Sequence, residues 1–377
     1  MSDSFLSSSE PLLRRDMPEL DTIRGLAILG VVVYHSLYEG VDLSVFTPAQ
    51  RLVLNCMSPG QFGVALFFVL SGFLITGLLL DSRSRPDYYR RFYIRRALRI
   101  LPAYYAILAF LAIAHLASGK FLMVSFLYCS NLAPLLNIPM FYPVLWSLSV
   151  EEHFYLVWPT IVHRISLKRL ATVAIGIVIA SPFLRLLHFL HGLHNGSVWL
   201  GFDHFTWNAA DGLACGAIVA VALRAETIRR VTLFYISVLL LLSVGVFGAV
   251  GLPFGIVSRG RLAGATLLWT LCNFASVGLL ILFLLAGTSR LRQLVVPRVL
   301  LFLGYISYGL YLIHLLIFWG YDAIVRRYAV SFIASLGRWE GLWVRFIVAG
   351  TISVVASWLS RRYFESPILS LKGKYAP

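Results

Sequence analysis

Ten apolar runs, each long enough to cross the hydrocarbon core of a bilayer, leave this chain few folds to choose from. They occupy residues 22–38, 61–80, 100–116, 145–162, 170–188, 205–223, 231–250, 264–286, 299–319 and 342–360. A hydrocarbon layer of about 30 Å takes about 20 helical residues, fewer where flanking side chains snorkel. The expected fold class is therefore all-α: a polytopic integral membrane protein of about ten transmembrane helices. Composition agrees, with 59% hydrophobic and 13% charged residues among 377, where soluble domains carry about a quarter charged. Mean hydropathy is +0.81. An eleventh run, 121–136, is short and broken by Asn131, Pro134 and Asn137, and hydropathy alone does not decide it.

Charge placement decides it. The net charge of +15 is either a nucleic-acid footprint or the bias that orients membrane helices. If 121–136 does not cross, one side collects Arg14, Arg15, Arg24, seven arginines from Arg83 to Arg99, Arg164, Lys168, Arg169, Arg224, Arg229 and Arg230. The same side takes Arg290, Arg292, Arg298, Arg361, Arg362, Lys372 and Lys374, making 23 of the 32 Lys and Arg. Counting the run as a span breaks that separation halfway along the chain. The positive-inside rule thus predicts ten crossings with both termini cytoplasmic, and 121–136 as an outer loop or re-entrant element. A basic excess distributed loop by loop implies no nucleic-acid partner. The expected organisation is a cytoplasmic tail over 1–19, a membrane domain over 20–366 and a second cytoplasmic tail over 367–377.

The first twenty residues carry no cleavable signal, so the first run reads as an uncleaved anchor. No repeat suggests an inverted-repeat transporter. Cys56, Cys129, Cys215 and Cys272 have no metal-ligand spacing. Cys215 and Cys272 lie in apolar runs and read as buried thiols, while Cys56 and Cys129 are free to pair.

Polar groups inside the spans are costly and become functional hypotheses by default. Arg24 and His35 stand eleven residues apart, within about 20° of one helical face and with a rise of about 16.5 Å. A snorkelling arginine above a packing histidine gives the same pattern. In the fourth span Ser147, Glu151 and Tyr155 form a stripe at i, i+4, i+8, and Glu152 adjoins Glu151. A structural Glu–Arg pair is the alternative there. Ser307, Tyr311 and His314 share a face of the ninth span, and the sixth adds Asp211 before Gly212 and Gly216. By helical rise, His35, His314, Glu151 and Asp211 all lie about 20–22 Å from the inner edge, as a shared reaction layer requires. Below that layer Arg95, Arg96 and Arg99 present guanidinium forks suited to phosphates or to anionic lipid headgroups. Gly63, Ser71, Gly72 and Gly77 let the second span approach its neighbours, or leave room for a channel.

These segments resemble the acyltransferase-3 family of integral-membrane O-acyltransferases. The resemblance rests on Leu20-Asp21 with Arg24-Gly25, the Arg24/His35 spacing, and Phe67-Phe68-Val69-Leu70-Ser71-Gly72-Phe73. It continues through Arg95-Arg96 with Arg99-Ile100 and Pro102, Trp146-Ser147-Leu148-Ser149-Val150-Glu151, Ser307-Tyr308 to Tyr311 and His314, and Phe364-Glu365-Ser366-Pro367. It implies transfer of an acyl group from cytoplasmic acyl-CoA to a hydroxyl, usually of a sugar. Acceptors include surface polysaccharides, lipid-linked glycans and metabolites such as macrolides. Some members carry an esterase-like domain after the membrane part; with the sequence ending soon after Pro367, none is expected here. Ala209 departs from the basic residue expected two positions before Asp211.

Chemistry and resemblance together predict a scheme. Arg24, Arg95, Arg96 and Arg99 hold CoA phosphates, and His35 is the general base, with Glu151 orienting it or stabilising its charged form. Tyr311 or His314 steadies the oxyanion. Ser71, Trp146, Ser147 and Asp211 are assigned to the acceptor. A covalent acyl-enzyme is a second route. No metal is implied. The expected partners are acyl-CoA, a glycan or glycolipid acceptor and membrane lipid, and the expected location is a cell membrane, the bacterial cytoplasmic one. A proton- or ion-coupled transporter is the rival class, since its relays also use buried His, Glu and Asp.

Overall fold

The computed structural model describes residues 10–14, 16–194, 202–225, 228–251, 260–289, 291–329 and 335–375. Arg15 and Arg290 of the charge argument lie outside them. All regular structure among the described residues is helical, and nine segments there are long and apolar enough to cross a membrane.

The helices used below are α1 (Pro18–Leu37), α2 (Pro48–Asn55), α3 (Gly63–Asp81), α4 (Tyr88–Ile113), α5 (Gly119–Phe126) and α6 (Leu145–Arg164). They continue as α7 (Leu167–His194), α8 (Thr206–Arg224), α9 (Arg230–Gly251), α10 (Leu262–Gly287), α11 (Arg298–Tyr328) and α12 (Arg338–Leu359). Each of the ten apolar runs falls on one long helix. Among these, α6 has the length to span with 20 residues, but Glu151, Glu152 and His153 hold its apolarity below that of the nine. The run 121–136 forms no long helix. It becomes the eight-residue α5 and a 3-10 turn over Ser130–Leu136, separated by Tyr128 in the left-handed region. Eight residues rise only about 12 Å, too little to cross.

One boundary differs from expectation. The third span was placed from residue 100, but α4 starts at Tyr88 and carries Pro102 in its interior. Arginine is a good helix former, and Tyr88 and Phe92 bury one face of the basic stretch, so the charged segment continues the helix.

The chain divides into two compact units. The first comprises Met1–Ile23, Ala65–Phe92 and Leu108–Pro297. In it α7 packs along α8, α9 along α10, and α10 also meets α7 and α8. Helix α3 crosses α8 with backbones touching: a Cβ at Gly72 would fall on the Leu213 carbonyl, and one at Gly216 on the Val69 carbonyl. Gly72→Ala is therefore expected to cost about 1–3 kcal/mol by overpacking. Gly176→Ala, mid-α7 with open space around it, is expected to gain about 0.5–1 kcal/mol. Thermal unfolding in detergent should move the two midpoints in opposite directions.

The second unit comprises Arg24–Val64, Tyr93–Ile107 and Arg298–Pro377. Gly25 lies against the Leu300 carbonyl, Gly63 against the Ala27 carbonyl, and Gly30 against Gly60. The Tyr308 hydroxyl donates to the Ile100 carbonyl at 2.7 Å, tying α11 to α4. After α12 a π-helical turn, Ser360–Glu365, buries Glu365 beside Gly309. The four cysteines are free thiols, so the pairing left open for Cys56 and Cys129 is not made, while Cys215 and Cys272 are buried as expected.

Candidate functional site

The second unit holds the arginines assigned to the donor, the base His35, and Tyr311 and His314. Arg24 and His35 ride on α1, Arg95, Arg96 and Arg99 on α4, and Tyr311 and His314 on α11. Two of these meet directly: His35 Nδ1 and His314 Nε2 are 2.9 Å apart, with ring centroids at 5.0 Å. Close approach of α1 and α11 at Gly25 and Leu300 precedes that meeting by about three turns of α1 and four of α11.

Neighbouring acceptors determine the tautomers of the neutral pair. His314 is fully buried, and its Nδ1 faces the carbonyls of Leu310 at 3.0 Å and Tyr311 at 2.8 Å. Carbonyls only accept, so Nδ1 carries the proton and Nε2 is an acceptor. His35 must then donate from Nδ1. The consequence is an unprotonated Nε2 on His35, the ring atom a general base needs. His35 keeps 16% side-chain exposure, where His314 has none. Tyr311 packs beside His314, ring centroids 6.1 Å apart.

The arginines differ in exposure. Arg24, Arg95 and Arg96 are half-buried and Arg99 is exposed. On the helix established for 88–113, Arg95 and Arg99 share a face at i, i+4. Arg99 also acts electrostatically on Glu365, which accepts from Arg361 at 3.3 Å. The Arg361 guanidinium lies over the Tyr305 ring, 4.8 Å from its centroid.

The first unit holds Ser71, Trp146, Ser147, Glu151 and Asp211. Two members of the polar stripe on α6 meet. Tyr155 donates to Glu151 Oε2 at 3.0 Å, and Ser71 Oγ hydrogen-bonds the Tyr155 hydroxyl. With that hydroxyl donating to the carboxylate, Ser71 is the donor to it, giving a relay across α3 and α6. Ser147 bonds the Val144 carbonyl of its own helix. Trp146 is stacked on His204, centroids 4.4 Å apart, with Phe68 at its edge and Trp269 at 6.0 Å.

Asp211 is fully buried and paired with Arg185 of α7 at 2.9 Å. Thr270 accepts from the same guanidinium and donates to Asp211 Oδ2 at 2.7 Å. Arg185 further donates to the carbonyls of Thr266 at 3.0 Å and Asn208. The basic group missing at Ala209 thus reaches this segment from another helix. Arg185 was not singled out from the sequence, although a charge inside run 170–188 is the very signal that marked Asp211. Glu39 was missed as well. It lies just beyond the first run, and its Oε2 is 3.6 Å from His35 Nε2.

Among the described residues no three His, Cys, Asp or Glu side chains gather to hold a metal ion. No solved structure matches the chain. Curated relatives do. The peptidoglycan O-acetyltransferase OatA of Listeria monocytogenes is 25% identical over 94% of this chain and 56% of its own length. The O-acetyltransferase OatA of Staphylococcus aureus is 26% identical over 94% of this chain and 57% of its own. The chain therefore spans a little over half the length of these relatives. An acyltransferase-domain family matches residues 17–362, a stretch containing every helix on which a candidate residue sits. With that match running over the histidine pair, the arginine ladder and the polar stripe alike, the chain belongs to the acyltransferase-3 family.

Proposed function

We propose that the protein is a membrane O-acyltransferase. It moves an acetyl or other short acyl group from cytoplasmic acyl-CoA to a hydroxyl of a glycan, of the peptidoglycan kind named for the relatives. The observation that carries this reading is the His35–His314 pair, in which a buried partner leaves His35 Nε2 unprotonated. In the proposed step Nε2 takes the proton of the acceptor hydroxyl as its oxygen attacks the thioester carbonyl. A C–O bond forms, the C–S bond breaks, and the proton passes from His35 to the departing thiolate. His314 acts through His35, with both of its ring nitrogens already bonded, which leaves Tyr311 as the side chain proposed for the oxyanion. Arg24, Arg95, Arg96 and Arg99 are proposed for the CoA phosphates. Glu151 keeps the proposed role of orienting His35 or stabilising its charged form, and Ser71, Trp146, Ser147 and Asp211 are proposed for the acceptor side.

We further propose ten crossings with cytoplasmic termini, α6 being the tenth. Its length supports this, as does the charge asymmetry that fails if 121–136 crosses. Single cysteines at residues 10 and 372 should be labelled only from the cytoplasmic face of membrane vesicles. Labelling from opposite faces would mean an odd number of crossings.

Purified protein supplied with radiolabelled acetyl-CoA and peptidoglycan oligosaccharides should form alkali-labile acetyl esters. Flux of substrate into liposomes without thioester consumption would instead favour the transporter. Arg95→Ala and Arg99→Ala are each expected to raise the donor KM about tenfold or more with little change in kcat. A charge-assisted hydrogen bond contributes about 1.5–3 kcal/mol, and it is present before and during the chemical step. Rising salt should weaken donor binding in the wild type and less so in these variants.

A further inference from the structure

The turn that ends α1 carries an acid that the step above does not use. From its position we infer that Glu39 is the counter-ion of protonated His35, a positioning residue that stabilises charge formed during the transfer. This rests on the reading of His35 as the base.

Geometry restricts Glu39 to one ring atom. Nδ1 of His35 is committed to His314, so the atom facing Glu39 Oε2 at 3.6 Å is the basic Nε2. The turn that carries Glu39 is fixed by the way the helix stops. The N–H groups of Tyr38 and Glu39 both donate to the Tyr34 carbonyl, at 3.0 and 2.9 Å, and Gly40 reverses the chain at φ +72°. A side chain other than glycine's is strained there. Arg345 of α12 fixes the same turn from the side. It donates to the Ser36 carbonyl at 2.7 Å and grips Asp322 of α11 through two bonds at 2.7 and 3.0 Å. Its guanidinium also lies over the Phe318 ring.

Before the reaction the basic nitrogen has no hydrogen to offer the carboxylate, and two acceptors face each other without a bond. Once Nε2 has taken the hydroxyl proton, it faces Glu39 as an N–H donor on a cation. The interaction therefore grows as the charge forms, the condition for raising kcat and not merely tightening binding. The proton remains on His35 until it passes to the thiolate, and Glu39 neither gains nor loses an atom. Its side chain is 48% exposed, so water screens the attraction, and an effect of about tenfold is expected.

The test uses the full chain and the variants Glu39→Gln, Glu39→Asp, His35→Ala and the double variant His35→Ala/Glu39→Gln. Glu39→Gln is expected to lower kcat about tenfold at unchanged donor KM and unchanged unfolding midpoint, with partial recovery in Glu39→Asp. The same change should cost nothing further in the His35→Ala background. A second readout needs no turnover. In 15N-histidine-labelled protein the His35 Nε2 resonance, identified by its loss in His35→Ala, should move in Glu39→Gln. If the wild type transfers no acyl group while that resonance moves, the acyltransferase reading falls and the ion pair stands. An unmoved resonance, a full kcat in Glu39→Gln, or an equal loss in the His35→Ala background overturns the inference.

Discussion

His35→Ala protein is expected to lose at least a thousandfold in acyl transfer while keeping its fold and its donor KM. General base catalysis accounts for about 10²–10⁴ in rate, and alanine removes both the basic nitrogen and the carrier of the proton to the leaving thiolate. Donor binding should persist, because the phosphate-binding arginines proposed here sit on the far part of α1 and on α4. His314→Leu should fall less, by about tenfold to a hundredfold. It leaves the His35 ring in place but frees its tautomer, so that Nε2 carries a proton part of the time. Steady-state kinetics of the two variants, with isothermal titration of CoA, reads all three expectations. Unchanged turnover in His35→Ala would remove this residue from the chemistry, and a thousandfold loss confined to His314→Leu would transfer the role of base to His314.

How far this pair could be read from sequence follows from which quantities local spacing controls. Helical rise places His35 and His314 at similar depth, because depth depends only on residue count from the span edge. Which nitrogen meets which depends instead on the crossing at Gly25 and Leu300 and on the carbonyls of Leu310 and Tyr311. None of these is encoded in periodicity. The contact of Glu151 with Tyr155 was legible because both lie on one helix at i, i+4, whereas its link to Ser71 on α3 is tertiary. Hydropathy located the long helices well and the start of α4 poorly, since it scores a charged helix as it scores a loop. Glu39 carries no sequence signal of its own, because it lies one residue past the apolar run, where a charge is ordinary.

Arg185→Leu is expected to be the most damaging single change to stability, at about 3–5 kcal/mol. Removing one member of a buried ion pair leaves the other charged and uncompensated, and Asp211 is completely buried. Nor is the carboxylate alone in losing a partner: the carbonyls of Thr266 and Asn208 and the Thr270 hydroxyl all accept from this guanidinium. The double variant Arg185→Leu/Asp211→Leu should recover much of the loss, since a buried pair replaced by apolar groups of similar size is often close to neutral. Thermal unfolding of the two single variants and the double in detergent measures the coupling. That double variant also separates two roles of Asp211. A stable protein with normal kinetics would make the aspartate a structural partner of Arg185 and nothing more. A stable protein with intact donor binding and an acceptor KM raised tenfold would keep Asp211 in the acceptor site proposed for it. Because Arg185 spends its donors on α8 and α10 together, the expected stability loss is that of a junction between three helices, larger than the deletion of one surface pair, which is worth at most about 1 kcal/mol.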